Sequence, residues 1–244
     1  SMGLPVQVDG IAWWYEGDSL IPMPEEIRRR IYGETGFDFS GSICSAAKPS
    51  DLDESAIEAF RDKWIEKSNN KRLANLSAEQ LLRDCEAIID EGITYAALIL
   101  FGKREALGRL LPQAEIIFEY RSSNASGPAN QREEFKVGFF ACFNRLWELV
   151  NLRNDIQHYQ EGFFIFDIPT FNESVVREAV LNAVSHRNYQ LAGSVFIRQF
   201  LDRLVIESPG GLPNGISLDN ILDRQIPRNR RIAEILALCG LVER

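Results

Sequence analysis

The chain has 244 residues, 45% of them hydrophobic and 25% charged, with a formal charge of −8. That apolar content is enough to offset chain entropy, so the composition excludes a disordered chain. It also excludes a helical membrane span, because the longest strongly apolar run, residues 93–101, is far shorter than the ~20 residues a bilayer requires. Asp9, Glu16 and Asp18 interrupt any apolar leader. The acidic balance argues against a surface devoted to phosphate backbones. Cys44, Cys85, Cys142 and Cys239 are scattered and form no paired spacing, so a zinc finger or ribbon is not expected. Reduced thiols in a cytoplasmic protein are the plain reading, and the sequons at Asn75, Asn124 and Asn172 then have no meaning.

Residues 1–50 read as a short strand, a linker and a helix. Residues 6–15 are rich in strand formers, and Pro22 and Pro24 stop regular continuation. Pro24, Glu25 and Glu26 open a short helix with Arg28, Arg29 and Arg30 toward its end, the arrangement a helix dipole favours. DNA contact by these arginines is the alternative. Residues 33–50 are turn-rich and are expected to be a linker.

Asp51 or Asp53 can cap a helix whose apolar face holds Ile57, Phe60, Trp64 and Ile65. Ser77 and Gln80 form a capping box before a stripe of Leu81, Leu82, Cys85, Ile88 and Ile89. Residues 93–101 fit a helix or a buried strand, with the alanines favouring helix. Residues 114–120 read as a strand, 122–130 as a loop and 135–151 as a strong amphipathic helix. A strand over 163–168 ends at Pro169. Thr170 and Glu173 form a second capping box for a helix reaching about His186. Residues 194–200 and 203–207 alternate as a hairpin, followed by a glycine turn at 209–213. Helices over 216–222 and 232–238 close the chain.

Glu178, Asn182 and His186 recur every four residues, which puts them on one face of that helix. An amide oxygen can complete an octahedral Mg²⁺ shell made otherwise by phosphates and water. A carboxylate one turn earlier can orient or deprotonate an attacking water. A plain solvated face explains the same spacing, since Val176, Ala179, Val180, Ala183 and Val184 occupy the other side. Gly210 and Gly211 allow backbone amides to approach a phosphate or an adenine ring, or simply make a tight exit from the hairpin. No Walker signature and no GxGxxG after a strand occur, which rejects P-loop and Rossmann sites. Arg224, Arg228, Arg230 and Arg231 suit phosphate contact or a solvated helix start equally.

Residues 171–189 (FNESVVREAVLNAVSHRNY), 204–216 (LVIESPGGLPNGI) and 227–244 (PRNRRIAEILALCGLVER) resemble bacterial transcriptional regulators related to the RecG helicase. Residues 15–27, 52–60 and 93–103 are similar to the same family. The resemblance implies an α+β chain. Residues 1–48 would be the tail of a Schlafen-type, Alba-like DNA-binding domain with a linker, 49–160 a mixed α/β middle region, and 161–244 a partial, divergent GHKL-type ATPase sandwich. It further implies Glu178 as the water-activating base and Asn182 as the Mg²⁺ ligand. His186, Arg187, Glu207, Gly210 and Gly211 would be nucleotide-site residues, with ATP and Mg²⁺ as cofactors in the full-length protein. Two departures count against activity. Glu207-Ser208-Pro209-Gly210-Gly211 stands where the family class has D-x-G-x-G. The glycine-rich lid segment is expected only beyond Arg244, and most of the DNA-binding domain upstream of Gly3, with Ser1-Met2 a cloning remnant. The expectation is therefore a transcriptional regulator with an ATP-binding-like module, contacting DNA through its upstream domain and hydrolysing ATP weakly or not at all as this fragment. The alternative is a non-catalytic dimerisation or ligand-sensing scaffold, and a homodimer is open in either case. No membrane partner is expected.

Overall fold

The strand-forming stretch near the start of the chain folds back on itself instead of running as one strand. A computed structural model describes residues 7–8, 11–16, 19–24, 27, 38–90, 92–123, 127–211 and 227–241. The chain divides into two units, residues 1–38 with 211–228 and residues 39–210 with 229–244. In the first unit, β1 (Gln7–Val8), β2 (Ile11–Glu16) and β3 (Ser19–Pro22) form an antiparallel sheet in that order. Along β2 the side chains alternate, Ala12 buried between exposed Ile11 and Trp13, as a half-buried pleat requires. The expected helices at 24–30 and 216–222 fall outside the described residues, apart from helical Ile27 and from Pro24.

The second unit contains an extensive apolar core. Residues 39–50 are part of it and not a linker. Phe39 stacks on Tyr95 with ring centroids 4.3 Å apart, and Ser40 and Cys44 are buried. The segment's backbone groups find partners there: Cys44 N donates to Ile93 O (2.8 Å) and Tyr95 N to Ser42 O (2.9 Å). Helix α1 (Glu54–Ser68) begins at Asp53, whose carboxylate accepts from Ser55 N and Ala56 N. The Ser55 hydroxyl, followed by these amides, holds the Asp53 carboxyl below its ordinary pKa despite some desolvation. Ser77 and Gln80 cap α2 (Ala78–Asp84) reciprocally, as the sequence predicts.

The stripe expected to continue to Ile89 breaks after α2, because Glu86 and Asp90 adopt left-handed backbone at φ 55° and 52°. Ile88 and Ile89 form β4 (Ile88–Ile89), paired with β5 (Gly92–Ile93). Thr94 then caps α3 (Tyr95–Phe101), which resolves the helix-or-strand ambiguity in favour of helix. All residues from Ala96 to Phe101 are buried. Helix α4 (Arg104–Leu110) leads to β6 (Ile116–Tyr120) and β7 (Gln131–Phe135), and α5 (Phe139–Asn151) follows. Phe135 thus ends a strand instead of opening the helix. Gly138 precedes the helix as its cap residue, and its backbone lies against the end of α3, where a Cβ would come within 2.7 Å of Leu100 O and Gly102 N.

β8 (Ile156–Glu161) and β9 (Phe164–Pro169) form a separate two-stranded ribbon. Helix α6 (Glu173–His186), β10 (Val195–Gln199), β11 (Leu204–Glu207) and α7 (Arg230–Leu238) complete the described elements. The main sheet has the order β11-β10-β6-β7, with β10 parallel to β6 and the other neighbours antiparallel. Its strands come from either side of residue 160, and the fold is α+β.

One face of this sheet presents Phe118, Val195 and Ile197 to the core. The other carries Glu119, almost fully buried, with Arg121, Arg132 and Arg198 all paired to its carboxylate at 2.6–3.2 Å. Desolvation opposes ionisation of Glu119, but the hydrogen bonds and charges of these arginines, Arg121 foremost, outweigh it and hold the carboxyl below its ordinary value. A depressed native pKa adds stability above the unfolded value of about 4.3, and that stability is lost as pH falls toward the native pKa. In urea denaturation, Glu119→Gln is therefore expected to flatten the loss of stability below about pH 4.3 relative to wild type. Phe60 is fully buried, 5.3–5.4 Å from the rings of Phe101, Phe140 and Trp64. Phe60→Ala is expected to cost about 3–5 kcal/mol by the same measurement.

Candidate functional site

Helix α6 is capped by Asn172, two residues after the expected Thr170. The Asn172 side chain accepts from Ser174 N (2.9 Å) and Val175 N (3.5 Å), while the Thr170 hydroxyl donates to Asp155 O (3.1 Å). Thr170 closes the base of the β8–β9 ribbon, so it is not free to cap, and Asn172 takes that place. Glu173 instead pairs with Arg177 at 2.6 Å. Val176, Val180, Leu181, Ala183 and Val184 face the core. Glu178 and Asn182 lie exposed a little over one turn apart, and among the described residues neither side chain makes a hydrogen bond or ion pair. His186, in the last turn, is partly buried.

The end of α6 is fastened by residues whose contacts are not local. Arg187 is fully buried, and its guanidinium donates to Asn188 O (2.9 Å), Leu191 O (3.2 Å) and Gly193 O. It also lies over the Tyr189 ring, 4.7 Å from the centroid. Burial pulls the Arg187 pKa below its ordinary value and pushes the Tyr189 hydroxyl up. Arg187, expected at a nucleotide site, spends these donors on shaping the loop after the helix. Asn229, 42 residues away in the chain from Arg187, donates its amide to Arg187 O (2.7 Å) and to Ser185 O (2.9 Å). These are helix-end carbonyls that no turn of α6 can satisfy.

The glycine turn is held against the same helix end. Ser208 Oγ donates to Ala183 O (3.0 Å) and Asn188 N donates to Pro209 O (2.8 Å). Gly210 has φ +123°, and a Cβ there would sit 3.0 Å from the Asn188 Cβ, so both backbone conformation and space favour glycine. Gly211 is exposed, and its carbonyl accepts from Arg228 at 2.8 Å. Glu207 is exposed and ion-paired with Arg198, which also reaches Glu119. The structure thus brings the glycine turn to the end of the Glu178–Asn182 helix, buries Arg187 behind it and commits Glu207 to a neighbouring strand.

The C-terminal arginines are engaged as well. Arg230 pairs with Glu234 at 2.9 Å and Arg231 with Glu86 and Glu234, while Arg224 lies outside the described residues. Sequence reasoning missed Asn229 and Ser208. Asn229 precedes α7 without capping it by its side chain, whose bonds go to the end of α6, and no local pattern shows that. Among the described residues no cluster of three or more His, Cys, Asp or Glu could hold a metal, and no helix is long and apolar enough to cross a membrane.

Asn229→Ala removes the side-chain donor from the Arg187 carbonyl and one of the two donors from Ser185 O, whose bond from the Asn229 backbone N–H remains, and is expected to cost about 1–3 kcal/mol in a denaturant titration. Arg187→Lys is expected to be destabilising as well, since an ammonium lacks the planar fork that reaches several carbonyls at once.

Comparison with known proteins locates part of this architecture. Residues 193–244 match the family model described as "Putative ATP-dependent DNA helicase recG C-terminal", and residues 29–117 match a domain of unknown function, DUF8451. No curated protein matches the sequence. The fold is similar to the crystal structure of the DIP2311 protein from Corynebacterium diphtheriae, at 25% identity and a TM-score of 0.69 over 96% of this chain. The chain spans 46% of the length of that protein. The segment that contains β10, β11, Gly210, Gly211 and α7 is thus the part similar to the RecG C-terminal model, and α6 precedes it in the chain.

Proposed function

We propose that this chain is the nucleotide-responsive part of a cytoplasmic bacterial transcriptional regulator, whose DNA contacts are made by an upstream Schlafen-type, Alba-like domain. The observation that carries this reading is the uncommitted Glu178–Asn182 pair on α6, beside a glycine turn anchored to the same helix and next to the RecG-like segment. The donor set fits Mg²⁺ held together with a nucleotide. Asn182 offers one hard amide oxygen, and no competing carboxylate cluster stands among the described residues. Bound Mg²⁺ would neutralise phosphate charge, with phosphate and water oxygens filling the rest of its shell. Asn182 would hold the ion, and Glu178, one turn earlier, would orient a water and take its proton. Gly210 would let backbone approach the base or phosphates, with Gly211 following it. His186, at the end of the same helix face, would border the nucleotide.

A second reading is supported by the ion pair between Glu207 and Arg198. With that carboxylate engaged, and Pro209 in place of a flexible turn residue, the module can keep its fold as a ligand-sensing scaffold without an adenine acceptor. Calorimetric titration of MgATP and MgADP into the full-length parent separates the two readings. The nucleotide reading expects binding that Asn182→Ala weakens at least about tenfold, equivalent to roughly 1.4 kcal/mol. It also expects any hydrolysis to fall about 10²–10⁴-fold in Glu178→Gln with binding retained. No binding at millimolar nucleotide would sink it in favour of the scaffold.

A further inference from the structure

The β8–β9 ribbon leaves the second unit between α5 and α6 on a firmly closed base. Asn154 exchanges two hydrogen bonds with Phe171, donating to its carbonyl and accepting from its amide, both at 2.8 Å. Thr170 N donates to Asp155 O (2.9 Å). Six residue pairs then run outward to a two-residue turn at Gly162 and Phe163, where Gly162 adopts φ +60°. On one face His158 Nδ1 lies 2.7 Å from Asp167 Oδ1, a directly opposed pair that fixes the register. The ribbon is thus presented in one register on a closed stem.

Its two faces differ in chemistry. The register places Gln157, Tyr159, Glu161, Phe164, Phe166 and Ile168 on one face, and Ile156, His158, Gln160, Ile165, Asp167 and Pro169 on the other. Tyr159 is 56% exposed, Phe164 72%, Phe166 47% and Ile168 51%, with Phe163 at the tip fully exposed. A two-stranded ribbon is only marginally stable in water alone, and an apolar patch on this scale marks an interface.

We propose that the Tyr159/Phe164/Phe166/Ile168 face is a homodimer interface, covered by the same face of a second copy of this chain. Those four side chains and Phe163 offer roughly 600–700 Å² per copy, close to the ~800 Å² that each partner contributes to a standard interface. The same face on two copies can pack about a two-fold axis, with the two ribbons stacked about 10 Å apart as facing sheets. Charge selects against the other occupants. Residues 156–169 include no Lys or Arg, which an anionic bilayer or a nucleic acid would need.

Sedimentation velocity on the intact protein at micromolar concentration tests the assignment. Wild type is expected to sediment as a dimer, and Phe164→Asp combined with Phe166→Asp to halve the sedimenting mass. Ile165→Asp, on the opposite face, is expected to leave the dimer intact. Hydrogen exchange of wild-type ribbon amides provides a readout that does not depend on any variant folding, with protection expected to rise with protein concentration. A monomeric wild type, concentration-independent exchange, or a dimer that survives the double substitution overturns the proposal. So does binding of the wild type to phosphatidylcholine vesicles that the double substitution abolishes, because the face would then belong to a lipid surface.

Discussion

The carbonyl-rich end of α6 is the constraint on which the candidate site depends. A helix leaves its last carbonyls without internal partners, and burying them costs stability unless donors arrive from elsewhere. Here the donors are the Asn229 amide and the Asn229 backbone N–H, both on Ser185 O or Arg187 O. The Arg187 guanidinium then holds the carbonyls of the loop that follows. With that end fixed, the backbone of Asn188 meets Pro209, and Ser208 meets Ala183. The position of the glycine turn relative to Glu178 and Asn182 is a consequence of this closure.

The main sheet supplies a second layer of order on its polar side. Glu119 is desolvated, so it is stable as a carboxylate only because three arginines converge on it, Arg132 from β7, Arg198 from β10 and Arg121 just past the end of β6. Arg198 links that cluster to Glu207, and the pair ties β10 to β11 just before the glycine turn. One side chain therefore belongs both to the sheet's internal ion network and to the border of the candidate site. Glu207 is consequently a weaker counterpart for an adenine amino group than an uncommitted aspartate would be.

Much of the local structure was legible in residue order. A cap at Asp51 or Asp53, the Ser77–Gln80 box, the 195–207 hairpin and the helix carrying Glu178 and Asn182 all follow from short-range chemistry, and the structure contains them, with Asp53 as the cap. The misreadings share a cause. Residues 39–50 looked like a linker because turn-rich sequence does not reveal that Ser40 and Cys44 will be buried. Thr170 looked like a cap because nothing local shows its hydroxyl turning to Asp155. The stripe after Ser77 looked continuous because positive φ at Glu86 is not written in hydrophobic spacing.

By itself the sequence determined the α+β class, the helix face with its carboxylate and amide, the glycine turn and the likeness to the RecG C-terminal region. These depend on periodicity, capping and short motifs, which act over a few residues. Only the tertiary structure decided that Arg187 is an internal clamp, that Asn229 closes a distant helix, that Glu207 is spent on Arg198 and that one face of the β8–β9 ribbon gathers Tyr159, Phe164, Phe166 and Ile168. Those outcomes depend on contacts between elements far apart in the chain and on strand register, and a shift of one residue would exchange the faces of the ribbon.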